Sequence, residues 1–205
     1  MENMIHSKDS IWSTKTMIKI SVLGVLAFLI MFIEIPMWFT PPFLKIDLSD
    51  IPALVGAFAL GPIAGVAIEF LKNVLHMVLK GTSTMGVGEL ANFIIGSVFV
   101  YTAGILYYKK RNFAAAVRGL ILGTIVMTLV ASVANYVFLI PFYAKLFGAN
   151  VELYVSMGSQ VNSLVTDFKT FILFGIVPFN LLKGIIVSIL TIPVYKRLSK
   201  VLHKY

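Results

Sequence analysis

Five long apolar runs constrain the fold of this chain more than any other feature. They lie at about residues 20–37, 51–79, 90–108, 120–143 and 171–195. At ~1.5 Å per residue, a helix over each run crosses most or all of a ~30 Å hydrocarbon core. The composition agrees, because only 13% of the 205 residues are charged, against about 25% in soluble domains. The sequence therefore predicts an all-α integral membrane protein.

The second run is too long for one crossing. A continuous helix over residues 51–79 would measure roughly 43 Å, and Gly61-Pro62 interrupts it with a strong turn signal. Splitting the run at this dipeptide gives six membrane helices. The second of them, at about 51–60, is too short to cross the membrane fully by itself.

Three basic clusters indicate how these helices are oriented. One cluster precedes the first run, one separates the third and fourth runs, and one follows the last. Their members are Lys8, Lys15 and Lys19; Lys109, Lys110, Arg111 and Arg118; and Lys196, Arg197, Lys200 and Lys204. The positive-inside rule assigns all three clusters to the cytoplasm. An even number of crossings then precedes Lys109, which supports the split and predicts six helices with both termini cytoplasmic.

The same orientation makes the remaining polar segments external. We expect a single membrane domain over 1–205, with a polar N-terminal segment at 1–15, an external lid loop at 36–50 and an external segment at 141–170. A surface helix is expected within the last segment, in VELYVSMGSQVNSLV. Seven of the nine acidic residues fall in outer loops or within spans. Eleven of the 17 lysine and arginine residues thus lie at the inner rim, which argues against nucleic-acid binding despite the net charge of +8.

The first external loop, PMWFTPPFLKIDLSDIP at 36–52, combines prolines with aromatic and charged residues. Its prolines prevent a continuous helix, because proline lacks an N–H and restricts the residue before it. Trp38, Phe39 and Phe43 suit either a membrane interface or a flat ligand. An aromatic belt followed by a helix capped by Ser49 or Asp50 explains the same residues. The loop alone therefore leaves both interpretations open.

Polar side chains recur inside the third predicted helix. A charged group at mid-membrane costs at least ~2.5 kcal/mol, so each is a candidate for function. Glu69, Asn73, His76 and Lys80 share one helical face, with Lys72 beside it. An internal pairing of Glu69 with Lys72 or Asn73 explains part of this face without a ligand. Two further polar residues, Glu89 and Asn92, open the fourth helix, where Glu89 also complements the helix dipole.

The last two runs contain isolated polar groups. Asn135 lies deep in the fifth helix, where interhelical hydrogen bonding is the alternative role. In VPFNLLKG, Asn180 and Lys183 are spaced i, i+3 and face the same way. An amide and an ammonium on one helical face suit a polar heterocycle that carries carbonyl and imide groups. Snorkelling is a weak explanation for Lys183, because apolar residues continue on both sides.

Nothing in the sequence indicates catalysis. There is no Walker A, GxSxG or HExxH motif and no cysteine, and the histidines at positions 6, 76 and 203 are too scattered for a metal site. We predict that the protein is not an enzyme and holds no cofactor or metal. If transport uses ATP, a partner must supply the ATPase.

The segment FLKIDLSDIPALVG at 43–56 resembles the riboflavin-specific substrate-binding (S) component of energy-coupling factor (ECF) vitamin transporters. The resemblance extends over nearly the whole chain and includes GPIAG at 61–65, the polar third helix ending in KGTST, and FNLLKG. It implies a six-helix fold with both termini inside, in the bacterial plasma membrane. It also implies that the loop between helices 1 and 2 is a lid over riboflavin, the transported ligand, captured from outside.

The resemblance further implies docking onto a membrane T component coupled to two ATPase subunits. Members of the family usually dock through a small-residue patch in helix 1, whose nearest equivalents here are Ser21, Gly24 and Ala27. It implies that Asn180 and Lys183 contact the polar edge of the flavin, with Asn135 and Asn73 as further candidates. Together with the residue analysis, the expected substrate-binding set is Phe39, Thr40, Phe43, Leu44, Lys45, Ile46, Asp47, Glu69, Asn73, Asn92, Asn135, Asn180 and Lys183.

Two alternatives stay open from the sequence. One is an S component for FMN or another flat vitamin, in which Lys45, Lys72 or Lys80 would bind a phosphate. The other is a self-sufficient small transporter or channel, which the clustering of polar groups toward one side disfavours.

Overall fold

A computed structural model describes residues 13–202 of the chain, with side chains as far as Arg197. It is mostly helical, as the apolar runs predict. In chain order the helices are α1 (Thr14–Met31), α2 (Asp50–Leu60), α3 (Pro62–Leu75), α4 (Val87–Lys110), α5 (Phe113–Ala134), α6 (Ile140–Leu146), α7 (Val151–Val161), α8 (Phe168–Phe171) and α9 (Val177–Leu202). Three π-helical turns, His76–Lys80, Asn135–Leu139 and Ile172–Ile176, extend α3 and join α5 to α6 and α8 to α9.

Five of the continuous helical segments are long and apolar enough to cross a membrane. They are Thr14–Met31, Pro62–Lys80, Val87–Lys110, Phe113–Leu146 and Phe168–Arg197. The sixth apolar helix, α2, has only 11 residues and is therefore about 16 Å long. The structure thus has five candidate spans and one short apolar helix.

The break predicted at Gly61-Pro62 is confirmed. Gly61 has φ 111° and ψ 162°, a backbone conformation that is strongly disfavoured for residues other than glycine. Pro62 then begins α3, where its missing N–H costs no helical hydrogen bond. The turn folds α3 back along α2, so the second apolar run forms two packed helices.

The short helix α2 lies at the centre of the molecule. It packs against α1, α3, α4 and α9, and Ala53, Leu54, Val55 and Ala57 are completely buried. The main apolar core surrounds it, with Phe99 and Met127 from α4 and α5. Its shortness is therefore compensated by contacts with protein on nearly every side.

The loop between α1 and α2 is closed at its base by a short antiparallel pair, β1 (Ile35–Pro36) and β2 (Lys45–Ile46). Within the loop, the Thr40 hydroxyl lies within hydrogen-bonding distance of two carbonyl oxygens, 3.3 Å from Met37 and 3.2 Å from Leu44. The proline-rich segment is therefore a defined, folded loop.

The region after position 140 is more helical than a simple external loop. The π-turn and α6 extend α5 to Leu146, and α7 confirms the predicted surface helix. A second apolar cluster under this region contains Ile140, Val165 and Phe171. Of the polar segment expected at 1–15, residues 1–12 lie outside the described residues. So do Lys204 and the side chain of Lys200, two of the cations used to orient the termini.

Candidate binding cavity

A cavity of about 930 Å³ opens between the α1–α2 loop, the end of α3, and helices α4, α6, α7 and α9. This volume lies at the upper end of the range of about 300–1,000 Å³ that small-molecule sites occupy. We call it the binding cavity. The residues of the expected set that line it are Phe43, Leu44, Lys45, Asp47, Asn92, Asn135, Asn180 and Lys183.

The other members of the expected set do not line the cavity. Phe39 lies against Trp38, with ring centroids 5.3 Å apart. The Thr40 hydroxyl contacts carbonyl oxygens within the loop, and Ile46 is buried beneath the loop. Glu69 and Asn73 lie below the cavity wall, where Asn73 Nδ2 donates to the Glu69 carbonyl oxygen at 2.8 Å.

Five buried titratable groups meet where the loop joins α2. This charge network consists of Asp47, Asp50, Glu69, Lys72 and Lys183. Lys183 Nζ lies 3.1 Å from Asp47 and 3.2 Å from Asp50. Buried charges persist only when they are paired, so α9 and the loop are held together by these contacts.

Lys72 forms the other half of the charge network. Its Nζ lies 2.5 Å from Asp50 Oδ1 and 2.8 Å from Glu69 Oε2, the second contact without good hydrogen-bond geometry. It also donates to Ser49 Oγ at 2.8 Å, and the Ser49 hydroxyl in turn bonds Asp47. Ser49 therefore begins α2 without capping it through its side chain. The internal pairing of Glu69 with Lys72 that the sequence allowed is confirmed.

The electrostatics of the loop follow from these contacts. Burial alone would raise the pKa of Asp47, but the Lys183 and Lys72 ammonium groups outweigh it and hold the pKa below its ordinary value. Asp47 is therefore a carboxylate at neutral pH and anchors the loop to α9. Lys183 donates a hydrogen bond to Asp47 and lies beside Asp50 without donating to it. Since an ammonium has three donors, Lys183 retains donors for the cavity.

Two of the cavity asparagines, Asn135 and Asn180, make the same hydrogen bond to their own helix. Asn135 Nδ2 donates to the Ala131 carbonyl at 2.8 Å, and Asn180 Nδ2 donates to the Ile176 carbonyl at 2.9 Å. Each amide thus keeps its oxygen and its second N–H for other partners. With Lys183, the wall offers two carbonyl acceptors and several N–H donors to a ligand.

Several cavity residues were not in the expected set. His76 Nδ1 lies 3.2 Å from Glu89 Oε1, and Glu89 Oε2 accepts hydrogen bonds from Thr82 at 3.0 Å and Thr84 at 3.1 Å. His76 shares the helical face of Glu69, so its spacing was a usable signal. Tyr143 and Tyr154 also line the cavity, but nothing in their local sequence distinguishes them from interface aromatics.

The mouth of the cavity is bridged by Glu34. Its carboxylate lies 2.7 Å from Lys45 Nζ and 3.0 Å from Lys80 Nζ. The hydrogen bond from Lys45 is the largest influence on the Glu34 pKa and lowers it; partial burial opposes this, and Lys80 adds to the lowering. All three side chains are partly exposed and line the cavity. We call this set the Glu34 bridge.

The helix 1 residues expected to dock a partner do not share one surface. Ser21 is exposed, whereas Gly24 and Ala27 are buried. A Cβ on Gly24 would lie 2.4 Å from the Leu71 side chain, so the small residues allow α3 to approach α1. The exposed apolar face of α1 consists instead of Ile18, Val22, Val25, Leu26 and Leu29.

Metal binding has no support in the described part of the chain, residues 13–202. There, no three histidine, aspartate or glutamate side chains are grouped so that they could hold a metal ion. Histidines 6 and 203 lie outside that part.

A family of known proteins matches the chain over residues 15–195. It is described as "ECF transporter, substrate-specific component". The chain belongs to this family. The resemblance seen in the sequence is therefore confirmed, and the protein is a transporter component rather than an enzyme. With its five candidate spans, this S component is a multi-pass protein of the plasma membrane.

Individual relatives agree with the family. The S component is 38% identical over 199 residues to the riboflavin transporter RibU of Staphylococcus aureus (strain TCH60), covering 96% of this chain and 97% of that protein. It is 34% identical over 176 residues to the riboflavin transporter FmnP of Bacillus subtilis (strain 168), covering 85% and 87%. A solved S component of a bacterial ECF transporter superposes with a TM-score of 0.71 at 37% identity, covering 93% of this chain and 98% of that one.

Proposed function

We propose that this S component binds riboflavin in the binding cavity, as the substrate of an ECF-type uptake transporter. The observation that carries the proposal is the donor and acceptor set that Asn135, Asn180 and Lys183 contribute to the cavity lining. An isoalloxazine has carbonyl acceptors and an imide donor on one edge, which this set complements. The names of the relatives support the same ligand.

In this proposal the residues act in two groups. Asn135, Asn180 and Lys183 bond the polar edge of the flavin, while Phe43 and Leu44 of the loop cover its rings. Phe43 already contacts Tyr154 edge to face, with ring centroids 5.7 Å apart, so an aromatic wall is available on that side. Phe39, Thr40 and Ile46 shape the loop, and Lys45 and Asp47 hold it. Asn92 is part of the cavity wall, and Glu69 and Asn73 support that wall from below.

We further propose six membrane helices with both termini cytoplasmic and the 36–50 loop as an external lid. The basic residues near Lys109 and Lys196 favour this orientation by the positive-inside rule. The acidic loop residues, Glu34 and Asp47, then lie at the opposite end. Riboflavin would enter from outside, and closure of the lid would remove it from water.

The proposed partners are a membrane T component and two ATPase subunits. The exposed face of α1, which includes Ser21, Val22 and Val25, is the proposed docking surface, and Gly24 and Ala27 shape it from behind. Sealed vesicles that contain this chain alone should therefore accumulate no riboflavin. Uptake by the chain alone would instead favour a self-sufficient transporter.

Riboflavin titration of the purified protein tests the ligand directly. We expect quenching of flavin fluorescence with a 1:1 end point at nanomolar protein. A vitamin without the flavin ring system, such as biotin, is the control and should not compete. Failure of riboflavin to quench, with the protein still monodisperse in detergent, would overturn the assignment of the ligand.

FMN is a second candidate ligand, favoured by the Glu34 bridge. Lys45 and Lys80 lie at the cavity mouth, where a terminal phosphate could replace Glu34 as their partner, whereas Lys72 is fully buried and paired. If FMN binds, Lys80→Gln should weaken FMN several-fold more than it weakens riboflavin in competition titrations. An equal effect on both flavins would remove Lys80 from any phosphate site.

A further inference from the structure

A second cavity, of about 250 Å³, lies at the opposite, basic end of the molecule. It is enclosed by the end of α4, the start of α5 and the last turns of α9, and shares no lining residue with the binding cavity. We call it the basic cavity. Its polar lining includes Tyr107, Arg111, Tyr195 and Lys196.

The two cations of the basic cavity rest on aromatic rings. The Arg111 guanidinium lies 4.4 Å from the centre of the Tyr108 ring, and Lys196 Nζ lies 4.6 Å from that of Phe113. No acidic residue lines the cavity. Within the described part of the chain, the ion pairs all involve carboxylates near the binding cavity. Two concentrated positive charges are therefore available to an anion.

The backbone at Arg111 is an independent observation. Arg111 ends α4 with φ 45° and ψ 40°, the left-handed conformation. Glycine normally occupies this position at the end of a helix, and another residue costs roughly 1–2 kcal/mol there. The chain thus carries a cationic side chain where the backbone alone favours glycine, which indicates a use for the guanidinium.

The floor of the basic cavity adds a neutral donor. The hydroxyls of Tyr107 and Tyr195 are hydrogen-bonded to each other. Each hydroxyl has one proton, and only one of the two protons is used in this hydrogen bond. The proton of the accepting hydroxyl therefore stays available to a ligand. A guanidinium, an ammonium and a hydroxyl around one small cavity are the groups that bind a phosphate.

The position of the cavity identifies the source of that phosphate. Three candidate spans end around it, at Lys110, Phe113 and Arg197. Tyr108 and Phe113 are 41% and 57% exposed, as aromatic residues are at a membrane boundary. Lipid headgroups are therefore the phosphates at this level, and basic pockets between membrane helices commonly bind them. We propose that the basic cavity binds the headgroup of an anionic phospholipid.

Native mass spectrometry of the delipidated full chain tests the proposal, with phosphatidylglycerol and phosphatidylcholine added at equal concentration. We expect phosphatidylglycerol to bind in clear preference. Arg111→Gly and Lys196→Gln should each weaken the affinity for phosphatidylglycerol about fivefold. The double variant should weaken this affinity about 25-fold. Arg111→Gly also removes the backbone strain, so its melting temperature should not fall.

Lys109→Gln is the matched control, because Lys109 is exposed near the same helix end but does not line the cavity. It should bind phosphatidylglycerol like the parent chain. Equal binding of the two lipids, or an unchanged double variant, would overturn the proposal. If glycerol phosphate bound as tightly as phosphatidylglycerol, the cavity would be assigned to a soluble phosphate instead. If the double variant lost binding to the membrane partner but still bound phosphatidylglycerol like the parent chain, the basic cavity would be assigned to a protein interface.

Discussion

At the scale of single residues, two lysines that look alike in the sequence have different roles. Both lie in apolar helices and both join the charge network. Lys183 lines the binding cavity, whereas Lys72 is fully buried and does not. Substitutions at the two positions should therefore separate binding from stability.

Replacing Lys183 with alanine should weaken riboflavin binding at least several-fold. The variant loses a donor to the flavin, and it leaves Asp47 without its α9 partner, so the loop is also less firmly held. Fluorescence quenching gives the affinity. Lys169→Ala, at an exposed lysine in α8, is the control. An unchanged affinity would remove Lys183 from the site.

Replacing Lys72 with methionine should instead destabilise the fold, by about 3–5 kcal/mol, since it removes the cation beside Glu69 and leaves Asp50 with Lys183 alone. Thermal unfolding in detergent measures the loss. The network has three carboxylates and two ammonium groups, so Glu69→Gln alone should cost little, and the double variant should recover part of the stability. If Lys72→Met and Glu69→Gln lowered the melting temperature equally, the network would not be the cause.

At the scale of elements, the sequence predicted what the local backbone determines. Gly61-Pro62 marks a turn wherever it occurs, and the α7 segment has the pattern of a surface helix. The inner face of the 36–50 loop was less predictable. Three prolines exclude a helix but do not say which side chains point inward, so Phe39 and Thr40 were expected at the cavity and Tyr154 was not. The role of Gly24 and Ala27 was unpredictable for a similar reason. Small residues allow close packing against a partner protein and against a neighbouring helix of the same chain equally well.

The Glu34 bridge makes the loop sensitive to pH. The Glu34 pKa is lowered in the folded protein, chiefly by the hydrogen bond from Lys45. The ionised Glu34 carboxylate therefore contributes fully to loop closure above the ordinary glutamate pKa of about 4.3. This contribution is lost as the pH falls through the lowered Glu34 pKa.

Glu34→Gln should consequently release riboflavin faster at pH 7, by up to about fivefold for a partly exposed ion pair. Stopped-flow fluorescence gives the dissociation rate. As the pH falls through the lowered Glu34 pKa, the parent carboxylate becomes protonated, and the variant and the parent chain should converge. A difference that persisted unchanged in acid would exclude Glu34 ionisation as the cause.

At the scale of the whole molecule, charge is divided between two ends. Asp47, Asp50 and Glu69 gather near the binding cavity, while Arg111 and Lys196 lie around the basic cavity. The positive clusters were visible in the sequence and predicted the orientation. The pairing of Asp47 with Lys183, 136 positions apart, was not, because only the packing of α9 beside α2 brings them together.

The central helix α2 connects these two ends. Asp50 at its start belongs to the charge network, and Phe58 near its end lines the basic cavity. This helix is only about 16 Å long and packs closely against four others. Both cavities are therefore built on the same closely packed element of the core.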